Sequence, residues 1–152
     1  MTTTGTRTTA PAADSRLLGL AHYAARGLLE HVLARHGATF PQQVALRAAA
    51  TAGAPRTPDE LVSQIRAALK ADPAGIRADL DALLAKGLLA ADGPHLLATD
   101  AGRALLAAVT AETAPLSARV WDGIPDEDLA AAGRVLTLVA ERADRELAAL
   151  EG

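Results

Sequence analysis

No cysteine occurs among the 152 residues, which rules out disulfides, thiolate metal ligands and cysteine nucleophiles. Aromatic side chains are nearly missing too: one Trp, one Tyr and one Phe, 2 % of the chain. The hydrophobic half of the composition is therefore mostly alanine and leucine, a core that suits closely packed helices better than a sheet. No apolar run reaches 18 residues without a charge, so no membrane span is expected. Positive charge is not in excess either. The formal net charge of −3 neither demands nor forbids a local basic face.

Catalytic signatures are absent as well. His22, His31, His36 and His95 include no pair four residues apart, and no carboxylate–histidine motif accompanies them. Ser15, Ser63 and Ser117 lie in no nucleophile-elbow context, and there is no glycine-rich phosphate loop. The expectation is a protein that is not an enzyme, with no cofactor and no metal. Residues 1–13 (MTTTGTRTTAPAA) lack the apolar core of a signal peptide and read as a disordered tail, so the expected location is the cytoplasm.

What is present centres on residues 57–99. Thr57-Pro58-Asp59-Glu60 is a capping box with proline at the first helical position. Leu61, Ile65, Ala68 and Leu69 then give an apolar stripe at helical spacing. Lys70 and Ala71 make a turn, and Asp72 before Pro73 caps a second helix. Ile76, Leu80, Leu83 and Leu84 form its buried face, and Gly87 ends it. Leu88–Ala91 and His95–Ala98 are short apolar runs flanking Asp92-Gly93, a two-residue hairpin signal. Helix, turn, helix and hairpin make a winged helix-turn-helix.

Long helices flank it. The first runs from a cap at Asp14 or Ser15 to about His36, with a broad stripe of Leu17, Leu18, Ala21, Ala24, Ala25, Leu28, Leu29, Val32 and Leu33. Gly37 stops it, and Thr39-Phe40-Pro41-Gln42 opens another helix to roughly Ala50, with Val44, Leu46 and Ala49 inward. Residues 51–56 read as a loop. After the hairpin, Thr99 caps a helix that Pro115 should kink or interrupt. Beyond Gly123-Ile124-Pro125, the acidic start Asp126–Asp128 opens a last helix with Leu129, Ala132, Leu136, Val139, Ala143, Leu147 and Leu150 on one side. No internal repeat is found. Apolar faces at both ends need a cover. A two-fold homodimer with interleaved terminal helices is the simpler solution, and an intramolecular bundle is the other.

This order of elements resembles the MarR family of dimeric transcription regulators over roughly residues 16–150. Four stretches carry the likeness. They are residues 39–48, residues 69–89 (with Ile76, Leu80, Asp81, Leu83, Gly87 and Leu88 in matching places), Thr99–Arg103, and residues 122–138. The resemblance implies a mainly α fold in one domain over 14–152. Within it, 39–103 is the winged helix-turn-helix, and 14–37 and 104–152 are dimerisation helices. It further implies a sequence-specific DNA-binding regulator of repressor type. Helix 73–86 would lie in the major groove of a pseudo-palindromic duplex, and a small-molecule effector would sit between the dimerisation and DNA-binding parts.

On that reading Arg77 is the base-reading candidate, since arginine-to-guanine is the commonest specific contact. Pairing with Asp81 one turn on is its alternative. Ser63, Gln64, Arg66 and Lys70 are candidate phosphate contacts, each of which is otherwise an ordinary surface residue, and Arg103, a poor dipole partner at a helix start, is a candidate for a phosphate or carboxylate contact. His22, Tyr23, Arg26, His36 and Phe40 are candidate effector-pocket residues, with interface packing and a salt bridge as the alternative. Two features depart from the family. Only Asp92-Gly93-Pro94 separates the hairpin strands, with no arginine at the tip. Residues 57–103 carry five basic side chains (Arg66, Lys70, Arg77, Lys86, Arg103) against seven acidic ones (Asp59, Glu60, Asp72, Asp79, Asp81, Asp92, Asp100). A net-acidic reading head weakens phosphate attraction. A dimer that has lost operator binding, and holds a ligand or a protein instead, is therefore the second reading.

Overall fold

Each of the first four helices starts on a side chain that accepts a hydrogen bond from its own first turn. In the computed structural model, which describes residues 9–152, Asp14 caps α1 (Ser15–Arg35) by accepting from the Leu17 amide at 2.7 Å. Thr39 and Gln42 form a reciprocal capping box on α2 (Phe40–Thr51), and Thr57 and Glu60 form another on α3 (Pro58–Leu69). Asp72 caps α4 (Pro73–Ala85) by accepting from Ala74 N. Satisfying these orphan amides fixes where each helix begins. The expectation of a disordered tail over 1–13 falls outside the described residues as far as position 8, and residues 9–14 form no regular element.

Glycine sets two of the ends. Gly37 and Gly87 adopt φ +67° and +69°, and in both places the residue after the glycine donates to the carbonyl five back: Ala38 to Leu33, and Leu88 to Leu83. Both are Schellman endings. The turn between α3 and α4 differs, because Lys70 itself takes the left-handed conformation with φ +53°. Its ammonium donates to the Ala67 carbonyl at 2.6 Å.

The hairpin is β1 (Leu89–Asp92) paired antiparallel with β2 (His95–Ala98), with Asp92 opposite His95. Its turn is therefore Gly93-Pro94, one residue later than the Asp92-Gly93 signal suggests. Gly93 has φ +55° while Pro94 is held near −65° by its ring, the pattern of a turn with glycine in its first central position. The loop before α3 also joins the wing. Leu96 donates to the Arg56 carbonyl at 2.9 Å, so the segment that reads as a loop ends in a bridge to β2.

The core lies among α2, α3, α4 and the hairpin, around Leu46, Leu61, Ile65, Ile76, Leu80, Leu83, Leu89 and Leu96. One expected stripe residue is misplaced: Ala68 is exposed, and Val62 takes the inward place beside Leu61 and Ile65. Helix α5 (Asp100–Trp121) is fastened to this core at its start. Thr99 Oγ1 donates to Gly87 O at 2.7 Å and accepts from Gly102 N at 3.1 Å, and Gly102 is itself buried. A Cβ at position 102 would stand 2.3 Å from the Leu88 carbonyl oxygen, so only glycine fits. Pro115 does not interrupt α5, which is continuous through it. The proline removes one amide, and the helix tolerates the loss.

Two compact units divide at residue 114. The first contains the core just described. The second, Pro115–Gly152, contains the end of α5 and α6 (Asp126–Glu151), and no residue of α6 is buried. Leu136, Val139 and Trp121 remain about half exposed. Helix α1 buries only Val32 and Leu33 of its broad stripe, leaving Leu17, Leu18 and Leu28 open.

Candidate nucleic-acid interface and the adjoining hollow

The side of α4 away from the core carries little bulk. Ala74, Gly75 and Ala78 are exposed, Ala82 is half-buried, and Arg77 is the one long donor among these five. Arg77 is not paired with Asp81. Its Nη2 lies 2.6 Å from Asp59 Oδ1 in the first turn of α3, and both side chains are more than half exposed. On α3, Ser63, Gln64 and Arg66 are exposed in the stretch leading to Lys70, so these residues and the start of α4 flank one turn.

Arg103 has a different partner from the phosphate or carboxylate expected at a helix start. Its Nη1 donates to the Ala50 carbonyl at 3.2 Å and so closes the C-terminal end of α2. Lys86, which sequence reading did not single out, ties the end of α4 to the α1–α2 turn. Its Nζ donates to Gly37 O at 2.6 Å and to Gln42 Oε1 at 3.0 Å.

The five effector-pocket candidates separate. Arg26 and Phe40 line an open hollow of about 500 Å³ together with Glu30, Ala38, Thr39, Pro41 and Asp79. Arg26 Cζ sits 4.4 Å from the Phe40 ring centroid, and Arg26 Nε lies 2.8 Å from Glu30 Oε1 one turn on. His22 and Tyr23 are elsewhere on α1, edge to face with ring centroids 5.3 Å apart, and Tyr23 is largely exposed. His36 turns to α5, where its Nε2 lies 2.8 Å from Glu112 Oε1. Arg35 donates to the other Glu112 oxygen at 2.5 Å. The bond to His36, followed by the charge of Arg35, holds the Glu112 carboxyl below its ordinary range.

Asp79 is the notable addition, because it brings a carboxylate of α4 into the hollow. Burial pushes its carboxyl above the ordinary value, and it has no ion-pair or hydrogen-bond partner among the described residues. No sequence motif marks it. Only its helical phase, one residue before buried Leu80 and three after buried Ile76, turns it partly inward. Among the described residues no group of three or more His, Asp or Glu is placed to hold a metal ion. No helix among them is long and apolar enough to cross a membrane.

A MarR-family transcriptional regulator from Rhodococcus sp. RHA1 superposes with a TM-score of 0.67 at 22 % identity, covering 82 % of this chain and 89 % of its own. The MarR-family protein Rv2887 of Mycobacterium tuberculosis, in complex with DNA, gives 0.66 at 22 % identity over 85 % and 98 %. CouR from Rhodococcus jostii RHA1, bound to p-coumaroyl-CoA, gives 0.67 at 22 % identity over 82 % and 88 %. The fold is that of the MarR regulators. No protein-family profile and no curated protein matches the sequence. In the MarR fold of this chain, α3 and α4 are the helix-turn-helix and β1–β2 the wing. The hollow lies between α1, the start of α2 and the inner side of α4.

Proposed function

We propose that this chain is a cytoplasmic, homodimeric, DNA-binding transcriptional regulator of MarR type, acting as a repressor whose DNA affinity responds to a small molecule. The observation that carries the reading is α4 itself. It is capped and terminated by its own signals, packed through Ile76, Leu80 and Leu83, and free of bulk on the side away from the core. A rigid helix with a slim outward side can enter a major groove, and two of them, one from each protomer, would read a pseudo-palindrome. Arg77 is assigned the base contact. Ser63, Gln64, Arg66 and Lys70 are assigned the phosphates, with Arg103 holding the end of α2 behind them. The exposed stripes of α1 and α6 would be covered by a second copy, with Trp121 as an anchor of that contact. Repression follows if the dimer occupies promoter DNA until a ligand in the hollow shifts α4. The hollow suits this role because its walls come from both α1 and α4.

The test is fluorescence anisotropy against the chain's own upstream intergenic DNA and a scrambled duplex, across a salt series. The proposal expects a preference for the upstream sequence with a shallow salt slope, since few cations face the DNA. Arg77→Ala should erase the preference and leave the dimer intact, because one bidentate contact supplies about 1–3 kcal/mol of discrimination.

A second reading is favoured by the Arg77–Asp59 pair, the short wing and the acidic reading head. On it, the dimer no longer binds an operator and serves as a ligand-binding or protein-interaction module. A confirmed dimer with no sequence preference at low salt would select it.

A further inference from the structure

The charges around the hollow are unbalanced, and the imbalance has chemical meaning. Three ionisable side chains line it: Arg26, Glu30 and Asp79. Arg26 is charge-balanced by Glu30, its Nε 2.8 Å from Glu30 Oε1, and its guanidinium lies over Phe40. Thr39 accepts from the Gln42 amide through Oγ1 and donates its own amide to Gln42 Oε1, so it offers the hollow a neutral hydroxyl and no charge. Lys86, the basic residue at the end of α4, has its ammonium on Gly37 O and Gln42 Oε1. That leaves Asp79, partly desolvated and facing the space without a cation. The rest of the lining is Ala38, Phe40 and Pro41. A wall of apolar surface beside one unneutralised carboxylate is a recognisable kind of ligand site.

An aryl carboxylate entering this space would meet the Asp79 charge directly. The one guanidinium in the lining, Arg26, already shares its charge with Glu30, so the wall that faces such a ligand stays net negative. A ligand with an aromatic body and a cationic head meets no such repulsion. Its charge satisfies Asp79, its ring lies against Phe40 and Pro41, and the Arg26–Glu30 pair stays closed. A partly buried carboxylate attracts a cation more strongly than water-exposed pairs do, because the local dielectric is lower.

We propose that the hollow between α1, the α1–α2 turn and α4 binds small aromatic cations, amines or amidines, through Asp79, and discriminates against aromatic acids. The proposal deepens the reading of this hollow as the effector site and rests on it for the consequence at DNA, though not for the binding itself. Because Asp79 is on α4 and Arg26 on α1, a cation held between them would bias the position of the recognition helix.

Isothermal titration calorimetry of the full chain with benzamidine hydrochloride and, separately, sodium salicylate tests this. Benzamidinium should bind at least about tenfold more tightly than salicylate. Asp79→Asn should lower benzamidinium affinity by about tenfold and raise that of salicylate, with the melting temperature at neutral pH not reduced. Nuclear Overhauser contacts from the benzamidinium ring to Phe40, the chain's only phenylalanine, would locate the site. Tighter salicylate binding overturns the proposal, as does benzamidinium affinity indifferent to Asp79→Asn. So does absence of benzamidinium binding into the millimolar range. Operator affinity gives the separating measurement. If benzamidinium binds through Asp79 and DNA affinity does not move, the ligand class holds and the effector reading fails. If salicylate alone shifts DNA affinity, the effector reading holds and this proposal fails.

Discussion

Helices α4 and α6 make an instructive pair. Each has an apolar stripe at three- and four-residue spacing and a helix start marked by acid or proline. Helix α4 buries Ile76, Leu80 and Leu83 against its neighbours, whereas α6, twice as long, buries none of its residues. Local sequence signals are enough to make both helical. Burial is a separate matter, decided by whether the same chain supplies a facing surface. For α4 it does, through α2, α3 and β1. For α6 no residue is buried, and the proposed second copy would supply the missing surface.

Substitutions in the two regions should therefore fail differently. The largest effects are expected at Gly102 and Leu83; at Gly102 a Cβ would meet the Leu88 carbonyl oxygen at 2.3 Å and Leu46 Cδ1 at 3.0 Å. Gly102→Ala should cost about 3 kcal/mol, as overpacking against backbone does at its upper range, and lower the melting temperature by about 10 °C. Leu83→Ala removes a fully buried side chain and should cost about 2–4 kcal/mol in thermal or urea unfolding, whatever the protein concentration. Leu136→Asp in α6 should act on association instead. Sedimentation equilibrium should show the dimer dissociating, with helicity of the reading head retained. If Leu136→Asp leaves a dimer intact, α6 is not its interface, and the comparison with α4 loses its point.

The difference between the regions also marks what could be read from sequence. Caps, stops and stripes are local, so Asp14, Thr39, Thr57, Asp72, Gly37 and Gly87 were all legible as boundaries. The hairpin turn is displaced by one residue because Pro94 would close an Asp92-Gly93 turn and has no N–H to donate, whereas it fits the second central position after Gly93. Ala68 and Val62 exchanged roles because alanine fits a stripe on either flank and only the neighbouring helices decide between them. The candidate site was legible in part. Arg26 and Phe40 came together, while His36 left for Glu112, seventy-six residues away. Pairings at that separation, like Arg77 with Asp59 across the turn, depend on tertiary placement that no short window contains.

Arg77 offers a smaller test. In the free chain its guanidinium is held by Asp59, so a base contact has to displace that carboxylate. On the proposed function, Asp59→Asn removes the competitor and one negative charge from the reading surface. Affinity for the preferred duplex should rise by up to about fivefold, the worth of one exposed ion pair. Arg77→Ala should lose preference in the same assay. A decrease with Asp59→Asn would mean that the carboxylate orients Arg77 for reading rather than restraining it.

The smallest effect should come from two carboxylates whose shifts have opposite sign. Glu112 is held below its ordinary range by His36 and Arg35, so its contribution to folding is present above the unfolded-chain value near 4.5 and lost as pH falls through the folded one. Asp79 is pushed above its ordinary 3.8 by burial, so the folded state favours its proton. Its contribution is present below that value and lost as pH rises through the folded one. Melting temperatures of Glu112→Gln and Asp79→Asn, each measured against the parent chain from pH 3 to 7, should therefore diverge. At pH 3 the two differences should be small. Toward neutrality Glu112→Gln should fall below the parent, because it lacks the clasp between the end of α1 and α5. Asp79→Asn should rise above it, because the unpaired charge is gone. Parallel curves would mean that Asp79 meets a cation in the folded chain. The hollow would then already be neutral, and its preference for a cationic ligand would have no basis.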